Sequence, residues 1–294
     1  MSLVLPKGKK AAVCVSFDMD AWSIMLRMRA VGLMGSGNYG PINFSRGEFG
    51  IVTGMPRILN LLDKYGIKAT FFVPGVIADT YPDLIKSMHA KGHEIAHHGY
   101  FHECPASLNE KQEREMWEKG IDAIKRATGE RPYGYRVPFE IPAANELSPV
   151  SIKLMIEYGF KYISQHMGPH DFHASKVRDG DVYHFDKPPT FGKEVNLLNI
   201  PVNELIMDDL AYFLGVNSFY PRLEAPSNVF ENWKEEFDYM YDNEKDGFYM
   251  FVLHPESTGR AHHLMLVERT LQYIQTRPDI WFARAIDLAN CWKD

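Results

Sequence analysis

The feature that most constrains the fold of this chain is a repeated alternation of short apolar runs with stretches of helical hydrophobic spacing. Ala11 to Phe17, Ala69 to Val73, His93 to His97, Tyr133 to Val137, Lys161 to Ser164, Val195 to Ile200 and Phe248 to Leu253 read as strands. Between or after them, Ile51 to Lys64, Tyr81 to Lys91, Ser151 to Tyr158, Asn228 to Tyr241 and Leu264 to Gln275 read as helices. Ser107-Leu108-Asn109-Glu110 reads as a capping box that opens a further helix, with Trp117, Ile121 and Ile124 on one face and Gly129 at its end. Strands alternating with helices require a parallel sheet with crossovers. About seven such units without a linker predict a closed or nearly closed α/β barrel over 1–294 rather than two domains. In such a barrel the strand C-terminal ends gather the reactive side chains.

Composition narrows the function classes. With 45% hydrophobic and 24% charged residues the chain can bury a large core. A net charge of −6 without a dense basic run argues against a nucleic-acid or anionic-lipid surface. No run of 18 apolar residues exists to span a membrane. The apolar run from Ala11 ends at Asp18 with no small-residue cleavage site, so it reads as a buried strand rather than a secretory signal. Three distant cysteines, Cys14, Cys104 and Cys291, fit a reducing compartment, and the expected location is the cytoplasm.

The stretch from Met19 to Gly50 breaks the alternation. It is long, Gly-rich from Gly32 onward, and carries Trp22, Met25, Leu26 and Met28. Long irregular segments in compact domains are commonly lids or binding loops. An insertion at about 21–50 is therefore expected beside the barrel mouth, as a lid or as an oligomer contact.

Two motifs fail on context. Gly35 to Gly40 matches G-x-G-x-x-G, but it lies well past the strand and Pro41 follows, which predicts a flexible loop rather than a dinucleotide turn. His93-Glu94-Ile95-Ala96-His97 matches H-E-x-x-H, which in zinc proteases must lie on a helix. Between Gly92 and Gly99 there is room only for a strand, where His93 and His97 would pack structurally. Cys104 reads as a small buried apolar group, and His166, His170, His173, His262 and His263 lack ligand spacing.

Three separated pieces survive. Asp18 and Asp20 close the first strand, His98 and His102 form an H-x-x-x-H after the third, and His254 ends a late apolar strand. Together they supply two histidines and a carboxylate for a metal, with an acid and an imidazole to spare. That inventory suits metal-assisted hydrolysis.

These residues, with Gly92-His93-Glu94-Ile95, Arg136-Val137-Pro138 and Leu253-His254-Pro255, resemble the five motifs of the polysaccharide deacetylases, the NodB-homology or carbohydrate esterase family four. The resemblance runs from about Ala11 to Pro255. It is strongest to the subgroup of peptidoglycan-deacetylase-like proteins that includes cyclic imide hydrolases, which share the D-x-D spacing and a Gly-rich insertion. It implies a distorted (β/α)7 barrel in which Asp20, His98 and His102 hold Zn²⁺ or another divalent ion. It also implies Asp18 as catalytic base, oriented by Arg136, and the backbone amide of Phe139 as an oxyanion donor. His254 would be the general acid, oriented by Asp208 or Asp209. Met19 separates two acids that most of the family keeps adjacent, and Phe139-Glu140 replaces the usual Tyr-Gly. Glu140 receives no role.

The activity implied is hydrolysis of a non-peptide C–N bond, as N-deacetylation of a glycan or as ring-opening of a small cyclic amide or imide. A non-catalytic carbohydrate-binding relative would be expected to lack Asp18 or His254. The expected partners are an N-acylated sugar or cyclic amide and further copies of the chain, with no nucleic acid and no membrane.

Overall fold

A computed structural model describes residues 2–30, 32, 41–139, 146–165, 169–202, 208–213 and 224–293. The first barrel strand, β1 (Ala11–Asp18), is buried along its whole length, which is why its sequence is continuously apolar rather than alternating. Its two faces nevertheless go to different places. Ala11, Val13, Val15 and Phe17 pack outward with Met55, Ile58 and Leu62 of a surrounding helix. Ala12 and Cys14 pack inward with Phe72, Tyr162 and Met250. The two-residue period then turns Ser16 and Asp18 into the barrel as well.

Six further parallel strands follow: β2 (Thr70–Val73), β3 (Glu94–His97), β4 (Gly134–Arg136), β5 (Tyr162–Ser164), β6 (Lys193–Asn199) and β7 (Phe248–Leu253). Parallel pairing runs β7-β1-β2-β3-β4-β5-β6. Among the described residues β6 and β7 are not paired, and Asp208, from the stretch between them, pairs in parallel with Val252. This is the distorted (β/α)7 barrel that the alternation and the motifs predict. In the same sheet two described strands go beyond that pattern: Ser175–Asp179 lies antiparallel on β6, and Ile280–Phe282 runs parallel to the start of β1. Both are short and partly exposed, so they carry no continuous apolar run.

The helices follow the hydrophobic spacing, with one correction. The long helix Glu110–Thr128 ends at Gly129 in the left-handed conformation, as predicted, but its capping box is Asn109 with Gln112. Ser107 instead closes a tight turn, donating its hydroxyl to the Cys104 carbonyl at 2.7 Å, and so cannot cap. Directly after β2, Pro74 caps a further helix, Gly75–Thr80. Gly75 is needed there, because a Cβ would stand 2.8 Å from Gly120 Cα and 2.5 Å from the Tyr100 ring.

The insertion at about 21–50 is less irregular than expected. Ser23–Ala30 is helical, and Pro41–Phe49 runs through a π-helical turn, Gly50–Gly54, into helix Met55–Tyr65. The Gly35–Gly40 motif lies outside the described residues. Packing here centres on Trp22, which is buried, with the Phe44 ring tilted against it at 5.7 Å. The π-turn lies on the segment after β7. A Cβ on Gly54 would meet the Pro255 carbonyl at 2.4 Å, and one on Gly259 would meet Gly54 Cα at 2.4 Å. Among the described residues no helix is long and apolar enough to cross a membrane.

This contact generates a prediction. Gly54→Ala should force backbone against backbone and cost about 1–3 kcal/mol, the usual range for overpacking. The measurement is the urea midpoint, which should fall with little change in slope.

Candidate functional site

The barrel interior places a charge at its centre. Arg136, the last residue of β4, is fully buried, and its Nη1 donates to Asp18 Oδ1 at 2.5 Å. Its Nη2 donates to Ser16 Oγ at 2.9 Å and to Ser164 Oγ at 3.0 Å, and its Nε donates to Ser164 Oγ at 3.2 Å. The guanidinium lies 4.0 Å over the Phe72 ring. A buried guanidinium is tolerable only when its fork is satisfied in this way. Burial works to raise the Asp18 carboxyl, but Arg136, with His98 and His254, holds it below the ordinary carboxylate range.

Beyond the end of β1 the chain brings Asp20 to the two histidines that leave β3. Asp20 Oδ1 lies 3.4 Å from His98 Nε2, and Asp20 Oδ2 lies 3.4 Å from His102 Nε2. The three side chains are buried, and each offers a ligand atom within 4.8 Å of the others. His98 Nδ1 is 2.9 Å from the Arg136 carbonyl. A carbonyl only accepts, so Nδ1 carries the proton and the Nε2 lone pair faces Asp20. Asp20 Oδ1 is buried without a hydrogen-bond partner, although His98 Nε2 lies 3.4 Å from it. A shared cation relieves that arrangement, so the donor set fits a divalent metal with two nitrogens and one oxygen. Backbone strain accompanies the convergence: Ala21 has φ 49° and His102 φ 65°, both in the left-handed region that disfavours side chains.

The third piece faces the same space. His254 Nε2 is 4.0 Å from Asp18 Oδ2 and 3.9 Å from Asp20 Oδ2. Its Nδ1 is 2.7 Å from Asp209 Oδ1, whereas Asp208 Oδ1 is 3.7 Å away. Asp209 Oδ2 also accepts from Thr258 Oγ1 at 2.8 Å, and Asp208 Oδ1 accepts from the Leu210 amide at 2.8 Å. Of the two acids that the sequence leaves open, Asp209 is the one bonded to the imidazole. Burial acts to lower the His254 pKa, but Asp208 and Asp209 hold it well above the usual imidazole value. Asp208, Asp209 and His254 could themselves be read as a metal set. Their facing atoms are already hydrogen-bonded to one another and to the loop, which makes them an oriented imidazole instead.

The other sequence features fall elsewhere. Glu94 accepts from Thr70 Oγ1 at 2.8 Å, Tyr162 OH at 2.9 Å and the Ile286 amide at 2.9 Å, and its motif is strand, not helix. His93 accepts from the Ala69 amide at 3.0 Å, and burial pushes it down to about 4. His97 stacks on Trp117, and burial pushes it down to about 3. Cys104 donates to the Glu146 carbonyl at 3.1 Å. Phe139 lies half-buried just past β4. Glu140 and His166 lie outside the described residues.

Four residues of the site carry little sequence signal. Ser16 and Ser164 hold Arg136, and Thr258 holds Asp209. Only Ser16, two residues before Asp18 on the same strand face, could have been found by periodicity. The fourth is Glu256, whose Oε2 is buried without a partner; burial, with Asp20 nearby, pushes its carboxyl up to about 8.

A pH dependence of stability follows. Asp18 and Asp20 have folded pKa values below their unfolded ones, so their contribution is present above about pH 4. It is lost as pH falls through the depressed values. Arg136→Ala leaves Asp18 buried and unpaired, which should cost about 3–5 kcal/mol at neutral pH. Urea midpoints measured from pH 3 to 7 should show that loss, with a shallower acid limb in the variant.

Comparison with known proteins agrees with this geometry. The family model for polysaccharide deacetylases matches residues 41–163. A peptidoglycan deacetylase of Helicobacter pylori is 30% identical, over 96% of this chain and 96% of its own length. A peptidoglycan deacetylase-like protein of Gibberella zeae is 28% identical, over 93% of this chain and 83% of its own. The crystal structure of Puue allantoinase superposes with a TM-score of 0.80 at 25% identity, covering 98% of this chain and 92% of that one. Arg136 over Asp18, and the histidine pair beside Asp20, thus sit in a chain that belongs to the polysaccharide deacetylase family, hydrolases of carbon–nitrogen bonds other than peptide bonds.

Proposed function

We propose that the chain is a metal-dependent N-deacetylase in which Asp20, His98 and His102 hold Zn²⁺ or a similar divalent ion. The observation that carries this reading is the pairing of opposite protonation states around one point. Asp18 is held ionised beside Arg136, and His254 is held protonated by Asp208 and Asp209, with 4.0 Å between them. Environments that push two titratable groups apart assign base and acid.

The bound ion supplies Lewis-acid chemistry, polarising the substrate carbonyl and lowering the pKa of water from ~15.7 toward ~7. Asp18 takes the proton as water attacks, and Arg136 fixes the direction of its free oxygen. The Phe139 amide donates to the developing oxyanion. His254 gives a proton to the departing amine, and Asp209 fixes its tautomer and aim. The substrate group is the N-acetyl of an amino sugar, as the names of the peptidoglycan deacetylase relatives imply. The likeness to allantoinase favours a second reading, in which the same residues open a small cyclic amide. We read 1–294 as one catalytic unit that assembles into homo-oligomers. The three free cysteines support a reducing, cytoplasmic location.

Metal content and turnover separate the roles. Asp18→Asn should keep the metal and lose about 10²–10⁴-fold in kcat. His98→Ala should lose the metal itself, and near-wild-type turnover by Asp18→Asn would sink the base assignment. Acetate release from N-acetylglucosamine oligomers, assayed beside ring-opening of hydantoin and succinimide, decides between the two substrates. A third variant tests the acid: removing the charge beside His254 by Asp209→Asn should lower its pKa. The alkaline limb of the kcat profile should then move to lower pH.

A further inference from the structure

On the outer side of the barrel mouth lies a groove of about 920 Å³ that the mechanism does not use. Its walls include the antiparallel strand Ser175–Asp179 and the segment 146–149, with Ile152 of helix Ser151–Glu157. Strand pairing fixes which side of the barrel this is. Ser164 of β5 turns inward, its Oγ 3.0 Å from Arg136 Nη2, so Ile163 before it faces outward, packing with Leu154 and Leu197. Asn199, the last residue of β6, pairs in register with Ile163 and shares that outward face. Neighbouring strands lie about 4.8 Å apart, so the groove begins one strand spacing from the strand whose serine holds Arg136.

Asn199 is the group that calls for a ligand. It lines the groove while only 6% exposed, and its Oδ1 is buried without a hydrogen-bond partner. A buried amide oxygen left unmet is costly, and native interiors rarely keep one. A leucine of similar shape would fill the same place beside Ile163 and Leu197 without that cost. Gln165, Ser175 and Tyr183 line the same groove, and their side chains make no hydrogen bond among the described residues. Tyr183 stands 90% exposed. The charged part of the lining disfavours an anion. Its four carboxylates outnumber its two cations, and Arg178 is bonded to Asp181 at 2.8 Å and lies over the Phe191 ring.

A ligand that suits this lining is uncharged, carries both donors and acceptors, and has an apolar face. An amide pairs with an amide, so a ligand N–H meets the Asn199 oxygen. Hydroxyl groups meet Gln165 and Ser175, and the C–H face of a sugar ring covers the open ring of Tyr183. We propose that the groove is a binding site for a chain of N-acetylated sugars, separate from the reacting space. This rests on the deacetylase reading for the choice of a sugar over a peptide, which offers the same amide without the hydroxyls. It gives a polymeric substrate a second hold on the protein, which raises its effective concentration at the mouth.

The probe is the N-acetylglucosamine tetramer, titrated calorimetrically into the full chain carrying Asp18→Asn so that the ligand is not consumed. Tetraalanine, which offers amides without hydroxyls, is the control. Asn199→Leu, added to Asp18→Asn, should weaken tetramer binding about tenfold or more. Tyr183→Ala, at an exposed position that the fold does not need, should weaken it about threefold or more. Circular dichroism confirms that each variant is folded, and Tyr183→Ala carries the test if Asn199→Leu is not. The proposal is overturned if the tetramer does not bind, or if either folded variant binds it as tightly as Asp18→Asn alone. It is also overturned if tetraalanine binds with the same dependence on Asn199. Tetramer affinity lost in both variants, with no acetate released by wild-type protein, would sink the deacetylase reading and leave the groove standing.

Discussion

The ion pair between Arg136 and Asp18 is the contact around which the rest of the site is arranged. A charged pair inside a barrel is weak support for stability, because removing two ions from water costs about as much as their attraction returns. Its consequence is geometric. With Ser16 and Ser164 occupying the other donors, the guanidinium has one orientation, and Asp18 therefore has one as well. The Arg136 carbonyl then fixes His98 through Nδ1, so a single residue orients Asp18 with its side chain and the His98 imidazole with its backbone. Strands β1, β3, β4 and β5 are coupled through that residue.

The local environments divide the titratable groups by function without any change of residue type. Asp18 and Glu256 are both buried carboxyls near the same histidine, yet one is held low and the other raised to about 8. The difference is the partner: Asp18 has a guanidinium, whereas Glu256 has an unsatisfied oxygen and Asp20 nearby. The histidines divide the same way. His93 and His97 lie among apolar and aromatic neighbours and are driven neutral, while His254 lies against two aspartates and is driven to the cation. A histidine's use here is decided by whether a carboxylate shares its burial.

That division also explains what the sequence could disclose. The barrel was legible because buried parallel strands read as continuous apolar runs and helices keep their hydrophobic spacing. Asp18, Asp20, His98, His102 and His254 were legible because they end such strands or follow them closely. Asp208 and Asp209 could not be told apart, since adjacent residues differ only in where the backbone turns them, and that turn is set by pairing with Val252. Ser164 and Thr258 act through tertiary contacts alone. The insertion was misread for a related reason: its helices depend on Trp22 and on glycine contacts with residues distant in sequence.

Those glycine contacts change what the insertion can be. A lid must separate from the barrel, and separation is cheap only where contacts are few and exposed. The turn Gly50–Gly54 instead meets Pro255, Glu256 and Gly259 backbone to backbone, without room for a methyl group. Arg57 Nη1 donates to the Gly259 carbonyl at 2.9 Å, and the Arg260 guanidinium lies 3.5 Å over the Phe49 ring. Pro255 follows His254 directly, and Thr258 is bonded to the aspartate that holds it. The segment carrying His254 is thus held by Asp209 on one side and by the helix running from Pro41 to Tyr65 on the other. Lifting that helix would release the segment that carries His254, so this part of the insertion is a wall of the barrel mouth rather than a cover over it.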